Sequence, residues 1–223
     1  MKPFYVLIAV VGVAGVGWLV WASQERAGPR PAAQTPAPVA AADGFKGYTL
    51  GSDAAPVEVV EYADFQCPHC GEFAVLQLPA IREQLIATGK VRWRLRDFPL
   101  NFPWSRLSAL AAQCAGEQGK FWPMADTLFL TQSEWGRSSR NPSGFFRGLA
   151  RGLGLDRDKY DACIESARYT GRIEASRQEG EARGVTGTPT FFVNGRPWPD
   201  ERNIGSDRFK QVVDSILAAK PKR

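Results

Sequence analysis

Residues 57–71 read VEVVEYADFQCPHCG, an apolar run from Val57 to Tyr62 that leads into Cys67-Pro68-His69-Cys70 and then a helix-compatible segment. Two thiols at C-x-x-C spacing, where a strand hands over to a helix, form a redox arrangement. In the first turn of a helix the Cys67 thiol meets backbone N–H groups without intrahelical partners and the positive end of the helix dipole. That setting favours the thiolate, the species that attacks or leaves a disulfide. Cys70, one turn further in, is the more buried partner and closes the bridge. The chain has one histidine, His69, and it lies between the cysteines, where it can stabilise the Cys67 thiolate by charge or by a hydrogen bond. Pro68 restricts the loop and removes one N–H donor. Other uses of the pair fit less well. Haem attachment needs a histidine after the second cysteine, and Gly71 stands there. Zinc would have to recruit Cys114 and Cys163, which form no second C-x-x-C, so no metal is expected.

The elements that position this pair follow from the pattern of the chain. Val57 to Tyr62 reads as a central strand, apolar on both faces. Val91, Trp93 and Leu95 alternate with Arg92, Arg94 and Arg96, which is strand periodicity. Between them, Cys70 to Thr88 keeps Phe73, Leu76, Ile81 and Leu85 at helical spacing, with a kink expected at Pro79. Tyr48-Thr49-Leu50 reads as a first edge strand. Residues 104–120, 121–130, 142–152 and 156–167 read as short helices. Strand signal returns at Thr190 to Val193, and Asn194-Gly195 predicts a type I′ hairpin into Arg196-Pro197-Trp198. An amphipathic helix with Phe209, Val212, Val213 and Ile216 on one face spans 206–219.

At 223 residues, 44% hydrophobic and 23% charged, the chain has room for one sizeable domain and an appendage. Its net charge of +5 comes from lysines and arginines scattered among acids, without a nucleic-acid motif, so a nucleic-acid partner is not expected. Residues 4–22, FYVLIAVVGVAGVGWLVWA, carry no charge and follow Lys2, which reads as a membrane anchor with the rest of the chain exported. A cleavable signal peptide competes, but the run exceeds the ~7–15 residues of its apolar region. Residues 23–43 are rich in Pro and Ala and read as a tether. The expected organisation is thus a cytoplasmic stub 1–3, anchor 4–22, linker 23–43 and domain 44–223.

The block from Gly51 to Phe73, together with Gly184-Val185-Thr186-Gly187-Thr188-Pro189-Thr190, resembles the DsbA-like thiol:disulfide oxidoreductases of the thioredoxin superfamily, most of all their membrane-anchored or exported branch. The resemblance covers roughly residues 48–219. It implies an α/β thioredoxin fold with a helical insertion, about residues 101–183. It implies Cys67 as exposed nucleophile, Cys70 as resolving thiol, and a cis bond at Thr188-Pro189 facing both, with Thr188 left free to pair with an extended substrate. Glu61 matches a buried acid below the active site that exchanges a proton with Cys70, its own pKa raised by burial. One of Arg92, Arg94 or Arg96 is expected to pair with it. Asp64 matches the family pattern without an assigned role.

Cys114 and Cys163 fall in two different helices of the insertion. They are either buried free thiols or a bridge; export and an even cysteine count favour the bridge. Gly152-Leu153-Gly154 follows a helix and is no dinucleotide fingerprint, and Pro142 rules out glycosylation of Asn141. The expected activity is an extracytoplasmic oxidase that passes the Cys67–Cys70 disulfide to reduced exported proteins. It would need no cofactor beyond that disulfide and would be reoxidised by a membrane partner. The alternatives are a reductase or isomerase on the same fold, or a non-catalytic chaperone or assembly factor.

Overall fold

In the computed structural model the described residues are 44–200 and 203–219, so the expected anchor and linker lie outside them. Among the described residues no helix is long and apolar enough to cross a membrane. Five strands form one sheet in the order β1-β3-β2-β4-β5, namely β1 (Tyr48–Leu50), β2 (Val57–Ala63), β3 (Val91–Asp97), β4 (Thr190–Val193) and β5 (Arg196–Pro197). β2 runs parallel to β3 and antiparallel to β4, so it is central, and its near-continuous burial follows from that place. Asn194 and Gly195, at φ 47° and 79°, make the tight turn that joins β4 to β5.

β2 is followed by α1 (Pro68–Leu76). The helix is interrupted at Gln77, resumes as α2 (Leu78–Ile81) and widens into a π-helical turn at Arg82–Ile86. Pro79 therefore sits in the first turn of a new helix, where its missing N–H costs nothing, rather than within a kinked one. Between β3 and β4 lies the helical insertion: α3 (Ser105–Gly116), α4 (Phe121–Leu130), α5 (Gln132–Trp135), α6 (Ser143–Gly152), α7 (Arg157–Ser166) and α8 (Thr170–Ala182). α9 (Ser206–Ala219) ends the domain.

The period of two sorts the side chains of β2 and β3 onto two faces. Val57, Val59, Val91 and Trp93 point to one, where Phe73 of α1, Ile81 and Phe209 of α9 cover them. Val60 and Tyr62 point to the other, with Phe98, Val185 and Phe192. A third cluster fills the insertion and reaches Ala63, Phe65 and both active-site cysteines, so the redox pair sits where the insertion meets the sheet. One link braces the insertion internally and one ties it to the sheet. Cys114 of α3 and Cys163 of α7 are joined by a disulfide, and Gln113 Nε2 donates to Asp97 Oδ2 at 2.6 Å.

Candidate active site

Cys67 is the N-cap of α1, in extended conformation at φ −69° and ψ 122°, with Pro68 in the first turn. As a thiol it donates to the carbonyl oxygen of Thr188 at 3.3 Å. The Thr188–Pro189 peptide bond is cis, and Thr190 Oγ1 donates to Gly187 O at 2.7 Å across the same loop. The structure therefore brings Cys67, Cys70, Thr188 and Pro189 together from α1 and from the loop before β4. Both cysteines are unbridged.

The electrostatics of the pair are asymmetric. A hydrogen bond from Cys70 holds the Cys67 thiol down to about 6; Thr188 and the backbone N–H groups of Cys70 and His69 add to the effect, against burial. Cys70 moves the other way: burial first, then the neighbouring Cys67, then Glu61 push its thiol well above the usual range. One sulfur is tuned to be an anion and the other to hold its proton.

Two expectations are corrected here. Cys67 is not exposed: it is 4% accessible against 0% for Cys70, because its sulfur lies under the cis-proline loop and in contact with the insertion core. The His69 ring is exposed and faces Glu72, with Nδ1 3.8 Å from Oε2, while its backbone N–H serves the Cys67 thiolate. The chain direction at a helix N-terminus explains this, since it aims amides at Cys67 and sends the side chain two residues on outward.

Glu61 is 1% exposed and lies on the Trp93 face of the sheet. Its partner is the Trp93 indole, whose Nε1–H donates to Oε2 at 3.0 Å. None of the three arginines reaches it, because they point to the opposite face. Arg92 and Arg94 pair with Glu58, and Arg96 pairs with Glu179. Burial lifts the Glu61 carboxyl to about 7, opposed by Trp93 and by the charge of Arg82.

This shift makes Glu61 a source of pH-dependent stability. The folded-state value exceeds the ordinary 4.5, so the fold binds the proton more tightly than the unfolded chain does. Stability from this group is therefore full below about 4.5, falls as the pH rises to about 7, and stays low above that. The loss amounts to about 3 kcal/mol at 1.36 kcal/mol per unit. Glu61→Gln is expected to match the wild type in denaturant unfolding at pH 4 and to exceed it by about that amount at pH 8. Equal stability at both values would show that the carboxyl is not buried as described.

Sequence reasoning left three contributors unassigned. Asp64 Oδ1 accepts from the Gln66 N–H at 2.8 Å, and its Oδ2 accepts from the Leu100 N–H at 2.8 Å and the Ser105 hydroxyl at 2.6 Å. It thereby shapes the turn that delivers Cys67. Gln132 Nε2 donates to the carbonyls of Phe65 at 2.7 Å and Cys67 at 2.9 Å, a clamp from α5. Trp93 entered the sequence reading only as part of the strand alternation. Beside the cysteines a groove of about 450 Å³ opens between His69, Phe73, Thr188, Pro189 and Ile204. Among the described residues no cluster of His, Cys, Asp and Glu could hold a metal ion.

A family model described as thioredoxin matches residues 45–215. The chain belongs to the thioredoxin superfamily, among its DsbA-like thiol:disulfide oxidoreductases. It is similar to oxidised BdbD of Bacillus subtilis, with a TM-score of 0.69 and 25% identity over 77% of this chain and 92% of that one. The Bacillus cereus "Probable disulfide bond formation protein D" is 29% identical over 76% of this chain and 78% of that protein. Similarity also extends to the Na(+)/H(+) antiporter NhaA 3 of Salinispora tropica, 37% identical over 96% of this chain but only 32% of the antiporter. The chain thus spans about a third of the length of that relative. The cis-proline loop lies against the N-terminal cysteine of the pair, an arrangement suited to thiol–disulfide exchange.

Proposed function

We propose that this oxidoreductase works outside the cytoplasm as an oxidase, anchored by residues 4–22 and donating the Cys67–Cys70 disulfide to reduced exported proteins. The observation that carries the reading is the placement of the pair, with Cys67 at the N-cap of α1 beneath the cis-proline loop and Cys70 fully buried behind it; this favours Cys67 as the anion and Cys70 as the thiol. A stabilised Cys67 thiolate makes the reduced pair the more stable state and the disulfide the more oxidising one. A substrate thiolate attacks Cys67 Sγ, the Cys67–Cys70 bond breaks, and Cys70 leaves with the electron pair and takes a proton from Glu61. A second substrate thiolate then attacks the substrate sulfur of the mixed disulfide and releases Cys67 as the thiolate. Two substrate thiols become one disulfide, and the pair is left with two electrons that a membrane partner would remove.

In this reading Thr188 and Pro189 align an extended substrate along the groove, and Asp64 and Gln132 hold the turn that presents Cys67. The antiporter relative, in which a segment like this chain makes up about a third of the length, supports work beside a membrane. Mixing the oxidised protein with a reduced, unfolded cysteine protein tests the direction. One substrate disulfide is expected per pair reduced. Efficient reduction of insulin by the dithiol form, with no transfer from the oxidised form, would reverse the assignment. Binding of an unfolded protein that survives in a Cys67→Ser, Cys70→Ser variant, with no exchange by the wild type, would favour an assembly factor.

A further inference from the structure

We infer that Trp93 is a positioning residue for the proton exchange at Cys70: its indole N–H fixes Oε2 of Glu61 as the acceptor oxygen, which leaves Oε1 to carry and release the proton. The inference rests on the reading of Glu61 as the acid that serves Cys70. An indole N–H only donates, so the oxygen it meets presents a lone pair and cannot be the one bearing hydrogen along that direction. A carboxyl has two oxygens, and pinning one assigns the proton to the other.

The indole is held in that orientation by packing. Trp93 is fully buried. It stacks on Phe73 at 5.9 Å and 14°, and meets Phe191 at 5.8 Å and Phe209 at 5.5 Å. Phe73 lies on α1 three residues after Cys70, and Phe191 lies on β4 two residues after Pro189. One side chain thus touches the helix that carries the resolving thiol and the strand that follows the cis-proline, and it holds the acid as well. The charged and titratable groups acting on this acid are Arg82, from the turn after α2, and Cys70, from α1. When the Cys67–Cys70 bond breaks, the proton on Oε1 passes to Cys70 Sγ, and the resulting carboxylate keeps the Trp93 N–H on Oε2. Closure of the pair returns the proton along the same line.

The test is made on the intact protein by nuclear magnetic resonance of the indole protons. The Trp93 Nε1–H resonance is expected to shift with pH along the titration of Glu61 and to stay flat in Glu61→Gln. A flat resonance in the wild type would overturn the inference. Kinetics give a second reading. Trp93→Phe keeps a ring but loses the donor, so the pH profile of pair closure is expected to move up by about one unit, with closure about tenfold slower near neutrality. The same substitution should not move the profile in the Glu61→Gln background; an equal shift there would mean a packing effect and would sink the idea. Phe209→Leu removes a ring contact without removing the N–H, and is expected to leave the inflection in place. If Glu61→Gln itself kept the wild-type closure profile, the acid role would fail, while a titrating indole would still show the bond.

Discussion

Cys67→Ser is expected to abolish thiol–disulfide exchange, with no turnover above the buffer background, while Cys70→Ser accumulates mixed disulfides with substrate. The difference follows from the asymmetry of the pair. Only Cys67 is held near 6, so only Cys67 supplies a thiolate at neutral pH. Serine in its place offers a hydroxyl that is not a nucleophile without a base beside it, and Cys70 is fully buried with its thiol pushed up. In Cys70→Ser the hydroxyl can still donate to the Cys67 sulfur, so the thiolate and its attack survive. What is lost is the neighbouring thiol that would release the substrate, an intramolecular step favoured by proximity. Non-reducing electrophoresis after mixing with an unfolded substrate that carries a disulfide reads the result: the Cys67 thiolate attacks one sulfur of that disulfide, and the other sulfur leaves as the substrate's thiolate. Trapped complexes with Cys67→Ser, and none with Cys70→Ser, would exchange the two roles.

Replacing both Cys114 and Cys163 by alanine is expected to lower the stability of the domain by about 4 kcal/mol, from the entropy of a loop of roughly 50 residues in the unfolded chain. The two positions are 49 apart, so the bridge closes α3, α4, α5, α6 and α7 into one loop. Against a typical domain stability of ~5–15 kcal/mol this is a large share. Both sulfurs are fully buried, so the alanines also leave small voids, which act in the same direction. Denaturant unfolding of the oxidised wild type and the double variant measures it. A change below about 1 kcal/mol would mean that the unfolded chain keeps the two helices together without the bridge.

What was legible in the sequence was whatever a local rule decides. The C-x-x-C at a strand–helix junction, the period of two in β3, the Asn194-Gly195 turn and the apolar face of α9 each follow from a few adjacent residues. The long-range partners were not legible. The arginines of β3 drew attention as partners for Glu61, yet the same alternation that identified the strand sends them to the other face, and the donor is Trp93. α8 passed unnoticed because it has no apolar stripe. Its buried positions are Ile173, Ser176 and Gly180, and small residues there admit the rings of Tyr62 and Phe98. A Cβ at Gly180 would stand 2.7 Å from Phe98. The clamp from Gln132 is likewise invisible in sequence, since nothing near residue 132 marks it as a neighbour of Cys67. Burial of Cys67 could not be read either, because the loop that covers it arrives 121 residues later.

The central claim, that this pair is built to give away its disulfide, is tested most directly by its reduction potential in glutathione buffers. A thiol near 6 falls between thioredoxin, at a pKa of ~7 and ~−270 mV, and the strongly oxidising DsbA, at ~3.5 and ~−120 mV. Structural disulfides of secreted proteins lie below about −300 mV, so a pair more oxidising than thioredoxin donates to them downhill. A measured potential clearly above that of thioredoxin, toward the ~−120 mV of DsbA, is the result expected. A value at or below about −270 mV, where thioredoxin lies, would contradict the account and turn the flow of electrons toward reduction.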